Sequence, residues 1–117
     1  SERALREIYF KGFEACVKKA KPATFMSAYN KINGVACTEN KWLLDDVLRK
    51  EWGFDGMVTT DWWTCGEHYK ETKAGNDVKM GLGFPERLLE AKEKGALTRE
   101  EMEVCAKRIL ALILKID

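Results

Sequence analysis

Glu51-Trp52-Gly53-Phe54-Asp55-Gly56-Met57-Val58-Thr59-Thr60-Asp61-Trp62-Trp63 is the stretch on which the fold turns. Gly53 stands where a helix ending at Trp52 needs a left-handed cap, a conformation that a residue without Cβ adopts at little cost. Asp55-Gly56 then turns the chain. Met57-Val58-Thr59-Thr60 is rich in β-branched residues and short, which predicts a buried parallel strand. Asp61-Trp62-Trp63 follows at that strand's carboxyl end.

Working back from this stretch, Leu43, Leu44, Val47 and Leu48 fall at helical spacing and predict a helix from about Asn40 or Lys41 to Trp52. Asn30 to Gly34 has the polar and glycine content of a loop, and Ala23 to Tyr29 forms a short strand before it. Pro22 bars its preceding residue from helical geometry, so it closes an opening helix whose apolar face is Leu5, Ile8, Tyr9, Phe13, Cys16, Val17 and Ala20, with Ser1 as N-cap. Working forward, Glu67 to Ala74 is a helix closed by Gly75, and Asn76 to Met80 is one more strand before the loop Gly81-Leu82-Gly83. Pro85 opens a helix that reaches Lys94 and stops at Gly95. Thr98-Arg99-Glu100-Glu101 has capping-box spacing and opens a last helix through Met102, Cys105, Ile109, Leu110 and Ile113.

Strands alternating with helices specify an α/β fold with a parallel sheet. Three strands close nothing, and a parallel sheet left with one bare face calls for further strands. With 117 residues against the roughly 250 of a complete (β/α)8 barrel, the expectation is a partial TIM barrel, about its last three strands with their helices. No 20 to 50 residue period recurs, which sets a solenoid aside.

Composition narrows the function. Hydrophobic residues make up 45% and charged ones 33%, with two prolines, so a packed segment is expected rather than disorder. The formal net charge of +1 is spread through interleaved acids and bases, which argues against a nucleic-acid partner. No apolar run approaches the roughly 18 residues of a membrane span, and Ser1-Glu2-Arg3 lacks signal-peptide character, so no membrane partner is expected and any signal region would lie outside the chain. Cys16, Cys37, Cys65 and Cys105 include no Cys-x-x-Cys pair and His68 is the sole histidine, which counts against a metal or redox module. Reduced structural thiols and a cytoplasmic setting are the expectation.

Reactive side chains of α/β barrels gather at the carboxyl ends of the strands. Tyr29 and Asp61 occupy such ends, and Asp61 carries an aromatic wall beside it, as a sugar site requires: the ring packs on the apolar face of a pyranose while the carboxylate works at the anomeric carbon. Taken alone, an Asp after a strand can equally be a cap or turn residue, and paired tryptophans can equally be core.

Several stretches together resemble glycoside hydrolase family 3: Ser1-Glu2-Arg3-Ala4-Leu5-Arg6-Glu7-Ile8-Tyr9, Met26 to Gly34, Trp42-Leu43-Leu44 with Val47-Leu48-Arg49, Glu51 to Gly56, Thr60-Asp61-Trp62, and Lys73-Ala74-Gly75-Asn76-Asp77. Thr60 stands where the family usually has serine, and Gly81 where many relatives have proline. The resemblance implies that residues 1–117 are a single segment, the C-terminal part of the family's barrel domain. It implies a retaining exo-acting β-glycosidase, with β-glucosidase as first choice and β-xylosidase or N-acetyl-β-glucosaminidase as alternatives, acting on a β-linked glucoside or oligosaccharide without metal or organic cofactor. Asp61 matches the nucleophile, Tyr29 and Trp62 match residues lining the sugar pocket, and Met26 is either a neighbour of that pocket or strand core. Asp77 matches a family aspartate with a structural role. Glu67, His68 and Glu71 match no motif and are expected at the surface. The general acid and the sugar-gripping residues would come from the rest of the barrel and a second domain, so the isolated chain is expected to be inactive. The alternative from another class is a non-catalytic piece that pairs with other chains.

Overall fold

A computed structural model describes residues 1–117. Helix α1 covers residues 2–20, with the Ser1 hydroxyl accepting from the Ala4 N–H at 3.4 Å. Several of its turns close i→i+5, such as Phe10 N–H to Leu5 C=O at 2.7 Å. Lys21, at φ 49°, turns the chain out of α1 immediately before Pro22. Strand β1 is Thr24–Ser27. The expected loop at Asn30–Gly34 is instead part of a tight hairpin, β2 (Lys31–Ile32) against β3 (Val35–Ala36). Asn33 and Gly34 both have positive φ, 50° and 86°, and Asn-Gly supplies them where a two-residue hairpin turn demands both.

After a short turn at Cys37–Glu39 comes α2, Trp42–Glu51. The Asn40 carboxamide oxygen accepts from the Leu43 N–H at 3.1 Å and fixes the start of that helix. Gly53 closes it at φ 78°. Strand β4 is Met57–Thr60, followed by α3 (His68–Ala74), α4 (Pro85–Glu93) and α5 (Arg99–Ile116). Both halves of the capping box form at Thr98 and Glu101, at 3.2 and 2.9 Å.

Strands β1 and β4 are parallel, in register from Thr24↔Met57 to Ser27↔Thr60. The core lies between this ribbon and the helices: Val17, Leu44, Leu48, Phe54, Val58 and Ala74, with Phe25 meeting Phe54 edge-to-face at 5.2 Å. The expected strand Asn76–Met80 contracts to a single parallel bridge, Thr59↔Val78. The reason is a side chain that takes a ladder position. Thr60 N–H reaches Val78 C=O at 2.9 Å, but Val58 N–H, two residues earlier on the same edge, donates to the Asp77 carboxylate at 2.8 Å.

Asp77 is the hub of this edge. Its side chain is 0% exposed and accepts from Arg49 of α2 at 3.0 Å and from Arg108 of α5 at 3.1 Å, besides the Val58 N–H. Arg49 also donates to Gly56 C=O at 2.8 Å, so one guanidinium ties a helix to the turn that enters β4. Burial, and then the charge of Arg108, pull the Arg49 guanidinium below its ordinary range.

The edge of β1 away from β4 carries no further strand. Five of the seven residues of the expected apolar face of α1, Ile8, Tyr9, Phe13, Cys16 and Ala20, are exposed, and Tyr9 and Phe13 line an apolar groove of about 480 Å³ together with Phe25, Met26 and Ile32. The molecule is a slab of 41 × 39 × 23 Å, as two parallel strands and their helices must be before a barrel closes. This is a partial α/β barrel.

Removing the Asp77 carboxylate leaves Arg49 buried and unpaired, so Asp77→Ala is expected to cost roughly 3–5 kcal/mol of unfolding free energy. Urea denaturation of parent and variant measures the difference.

Candidate functional site

Asp61 sits one residue past the carboxyl end of β4, and its N–H continues the ladder by donating to Ser27 C=O at 3.0 Å. Its Oδ1 accepts from the Trp62 N–H at 2.7 Å, which orients the half-buried carboxylate. Thr60 braces the junction: its hydroxyl donates to Asp61 C=O at 2.9 Å and accepts from the Met80 N–H at 3.0 Å. The parallel register places the end of β1 beside the end of β4, so Tyr29 comes to the same edge two residues past β1. Its phenol donates to the Trp62 carbonyl and lies close enough to Asp61 to feel its charge. Desolvation first, and the Asp61 carboxylate second, push the Tyr29 hydroxyl above its ordinary range, so it remains a donor at neutral pH.

Trp62 is 45% and Trp63 67% exposed, which removes both rings from the core and makes them a surface beside the carboxylate. They meet edge-to-face at 6.4 Å between centroids. Trp63 has φ 54°, a left-handed conformation uncommon for a bulky residue. Gly81 accommodates it, since a Cβ there would lie 2.8 Å from Trp63 Cδ1.

Of the residues singled out in the sequence, Asp61, Tyr29 and Trp62 are brought together. Met26, 58% exposed on β1, lines the apolar groove, which those three do not. Asp77 is structural, as expected from the sequence. The expectation that Glu67, His68 and Glu71 lie at the surface holds for Glu67 alone. Glu71 is 1% exposed: its carboxylate accepts from the Thr64 hydroxyl at 2.8 Å and pairs with Lys79 at 2.5 Å. Only the folded path of the loop between β4 and α3 brings those groups together. No sequence signal marks them; in the folded chain Gly66 leaves room for the Glu71 carboxylate, where a Cβ would lie 2.4 Å from Oε1.

Chemically the cluster offers one oriented carboxylate, a phenol donor and indole faces at the mouth of a parallel sheet. The model of the glycosyl hydrolase family 3 N-terminal domain matches residues 1–112. Beta-glucosidase A of Butyrivibrio fibrisolvens is 54% identical over 103 residues, covering 88% of this chain and 12% of that protein. Exo-alpha-(1->6)-L-arabinopyranosidase of Bifidobacterium longum is 43% identical over 116 residues, covering 98% and 15%. The chain thus spans under a sixth of the length of either relative. Among solved structures, β-glucosidase 3B of Thermotoga neapolitana in complex with glucose superposes with a TM-score of 0.92 at 45% identity, covering 97% of this chain and 17% of that one. A β-glucosidase of Bifidobacterium adolescentis gives 0.91 at 40%, covering 98% and 17%.

His68, at the start of α3, is half-buried with the Phe84 backbone nearby, and its Nδ1 is buried without a partner. Burial lowers its pKa below the ordinary 6.5, against the pull of the Phe84 backbone and with Lys79, Glu71 and Arg87 nearby. The folded state therefore favours neutral imidazole, and the unfolded chain takes up the proton first as pH falls below about 6.5. Stability contributed by neutral His68 is present above that pH and is lost as pH falls towards the depressed folded value. His68→Gln is expected to flatten the decline of Tm between about pH 7 and 5, a slope read by thermal melts in matched buffers.

Proposed function

The chain belongs to glycoside hydrolase family 3, and from that membership we propose that it is the C-terminal part of the barrel of a retaining exo-β-glycosidase, in the first place a β-glucosidase, with Asp61 as nucleophile. The observation that carries this is the placement of Asp61, oriented by the Trp62 N–H at the carboxyl end of a parallel strand with Tyr29 and two exposed indoles around it.

Asp61 attacks the anomeric carbon of the terminal sugar, breaking the bond to the leaving oxygen and forming a glycosyl ester. A carboxylic acid from outside this chain protonates that oxygen and then, as the base, activates the water that cleaves the ester; its carboxyl group stands about 5–5.5 Å from the nucleophile. The Trp62 N–H holds one carboxylate oxygen, so the other is presented to the sugar. The Tyr29 phenol keeps its proton and steadies both the Trp62 carbonyl and the negative charge. Trp62 supplies an apolar surface for the pyranose. The open groove beside β1 receives the remaining strands of the barrel, and a second domain supplies the acid. The four free thiols favour a reducing, cytoplasmic setting.

A second reading of the sugar specificity, an exo-α-(1→6)-L-arabinopyranosidase, has its support in the Bifidobacterium longum relative. Side-by-side turnover of p-nitrophenyl β-D-glucopyranoside and α-L-arabinopyranoside separates the two.

In the complete enzyme, a 2-fluoro-glucoside is expected to leave a covalent sugar on the peptide containing Asp61, because fluorine slows the second displacement and lets the ester accumulate. Asp61→Asn is expected to abolish this label and to lower kcat by roughly 10³-fold or more. A label on a different carboxylate rejects the assignment.

The isolated 117 residues, lacking the acid partner, are expected to hydrolyse p-nitrophenyl β-glucoside no faster than buffer. Turnover that disappears in Asp61→Asn of the short chain contradicts this.

A further inference from the structure

The segment that carries Asp61 and Trp62 leaves β4 and must reach α3 without help from regular structure. Its one deeply buried point after the aromatic pair is Thr64, 8% exposed. The Lys79 ammonium donates to the Thr64 carbonyl and hydroxyl, both at 3.2 Å, and to Glu71 at 2.5 Å. Glu71 in turn accepts from the Thr64 hydroxyl at 2.8 Å. The triangle is closed: the three protons of the ammonium are spent, and the side chains of Lys79 and Glu71 are 7% and 1% exposed.

Stability alone does not account for this arrangement. Taking two charges out of water costs more than most pairs recover, and replacing a buried pair by apolar side chains of similar volume is often neutral or stabilising. Apolar side chains would fill the space but could not hold the Thr64 carbonyl. The two residues after Lys79 act on the same loop: Met80 N–H donates to the Thr60 hydroxyl just before Asp61, and Gly81 gives room to the left-handed Trp63 just after Trp62. Residues 79–81 thus hold the loop on both sides of Asp61-Trp62, and Lys79 is the charged end of that grip.

We propose that Lys79, paired with Glu71, is a positioning residue that sets the Asp61-Trp62 segment for attack and is not required for folding; this rests on the reading of Asp61 as nucleophile. Displacing a reacting group by about 1 Å can cost on the order of 10²-fold in rate.

The decisive variant is Glu71→Leu with Lys79→Met in the complete enzyme, since Lys79→Met alone would strand the Glu71 charge in the interior. The expected result is a folded enzyme with a Tm no more than about 10 °C below the parent, the loss of one satisfied carbonyl being tolerated. With it, kcat and the rate of inactivation by a 2-fluoro-glucoside should each fall roughly 10- to 100-fold while KM changes little. Lys79→Arg, which keeps a cation for the Thr64 carbonyl, should recover much of the loss. Parental kcat and inactivation rate in the double variant would overturn the proposal. So would a Tm more than about 10 °C lower or failure to fold, because the pair would then be structural. If the sugar label in the parent maps to another residue, the nucleophile reading falls, and the change in kcat still decides whether Lys79 positions the loop.

Discussion

Asp77 is the constraint on which the sheet depends, because it satisfies a strand donor that no further strand reaches. The Val58 N–H lies on the edge of β4 away from β1 and would be an unpaired group in the core without the carboxylate at 2.8 Å. Placing a charge there requires cations, and Arg49 and Arg108 bring them from α2 and α5. The two helices are thereby fixed against one strand through one side chain, and the chain after Asp77 is set to give Thr60 its own partner at Val78. A buried carboxylate bonded to a backbone N–H and two guanidiniums is directional in a way that apolar packing at Val58 and Ala74 is not.

From that edge the site follows by register. Parallel pairing of Ser27 with Thr60 means that anything just beyond both strands emerges at one end of the sheet, which is how residues as distant in sequence as Tyr29 and Asp61 become neighbours. The ladder runs one step further, through the Asp61 N–H to Ser27 C=O, so the backbone of the candidate nucleophile is as rigid as the strand itself. Beyond Asp61 rigidity comes from side chains: the Tyr29 phenol on the Trp62 carbonyl, Lys79 on Thr64, and the Glu39 carboxylate accepting the Glu67 N–H at 2.7 Å. A loop that lacks secondary structure is held at nearly every second residue, and this is what a site needs if its aromatic surface is to stay in place while exposed.

Much of the fold was legible because its punctuation is local. Gly53, Gly75 and Pro85 act on their immediate neighbours, and the capping box at Thr98 closes within four residues, so the structure reproduces each of them. Asn33-Gly34 is an equally local signal, yet its short flanking strands carry no hydrophobic alternation, so composition alone reads the hairpin as a loop. The third strand is shorter than its sequence suggests, because the pattern of Asn76 to Met80 does not reveal that the Asp77 side chain takes a backbone's place. The meeting of Asp61, Tyr29 and Trp62 followed from the barrel-end rule together with the family motif. The burial of Glu71 had no such route: its partner Lys79 lies eight positions on, across a turn, and neither helical nor strand periodicity pairs them.

The two buried ionic clusters divide the labour between fold and site. Both surround a point where the backbone leaves a regular ladder: Asp77 where β4 lacks a neighbour at Val58, and Lys79 where the loop after β4 buries the Thr64 carbonyl. Apolar packing cannot satisfy a donor or a carbonyl, and water is displaced from both places, so a charged side chain that brings its own counter-ion is the available solution. The signs follow from what must be satisfied: a carboxylate for an orphan N–H, an ammonium for an orphan C=O. The Asp77 cluster joins α2, α5 and β4 and so bears on the whole sheet, whereas the Lys79 cluster joins the loop after β4 and α3 to the segment that follows the Val78 bridge and reaches no other helix. Damage to the first must spread through the core, and damage to the second can remain confined to the ground on which Asp61 and Trp62 stand.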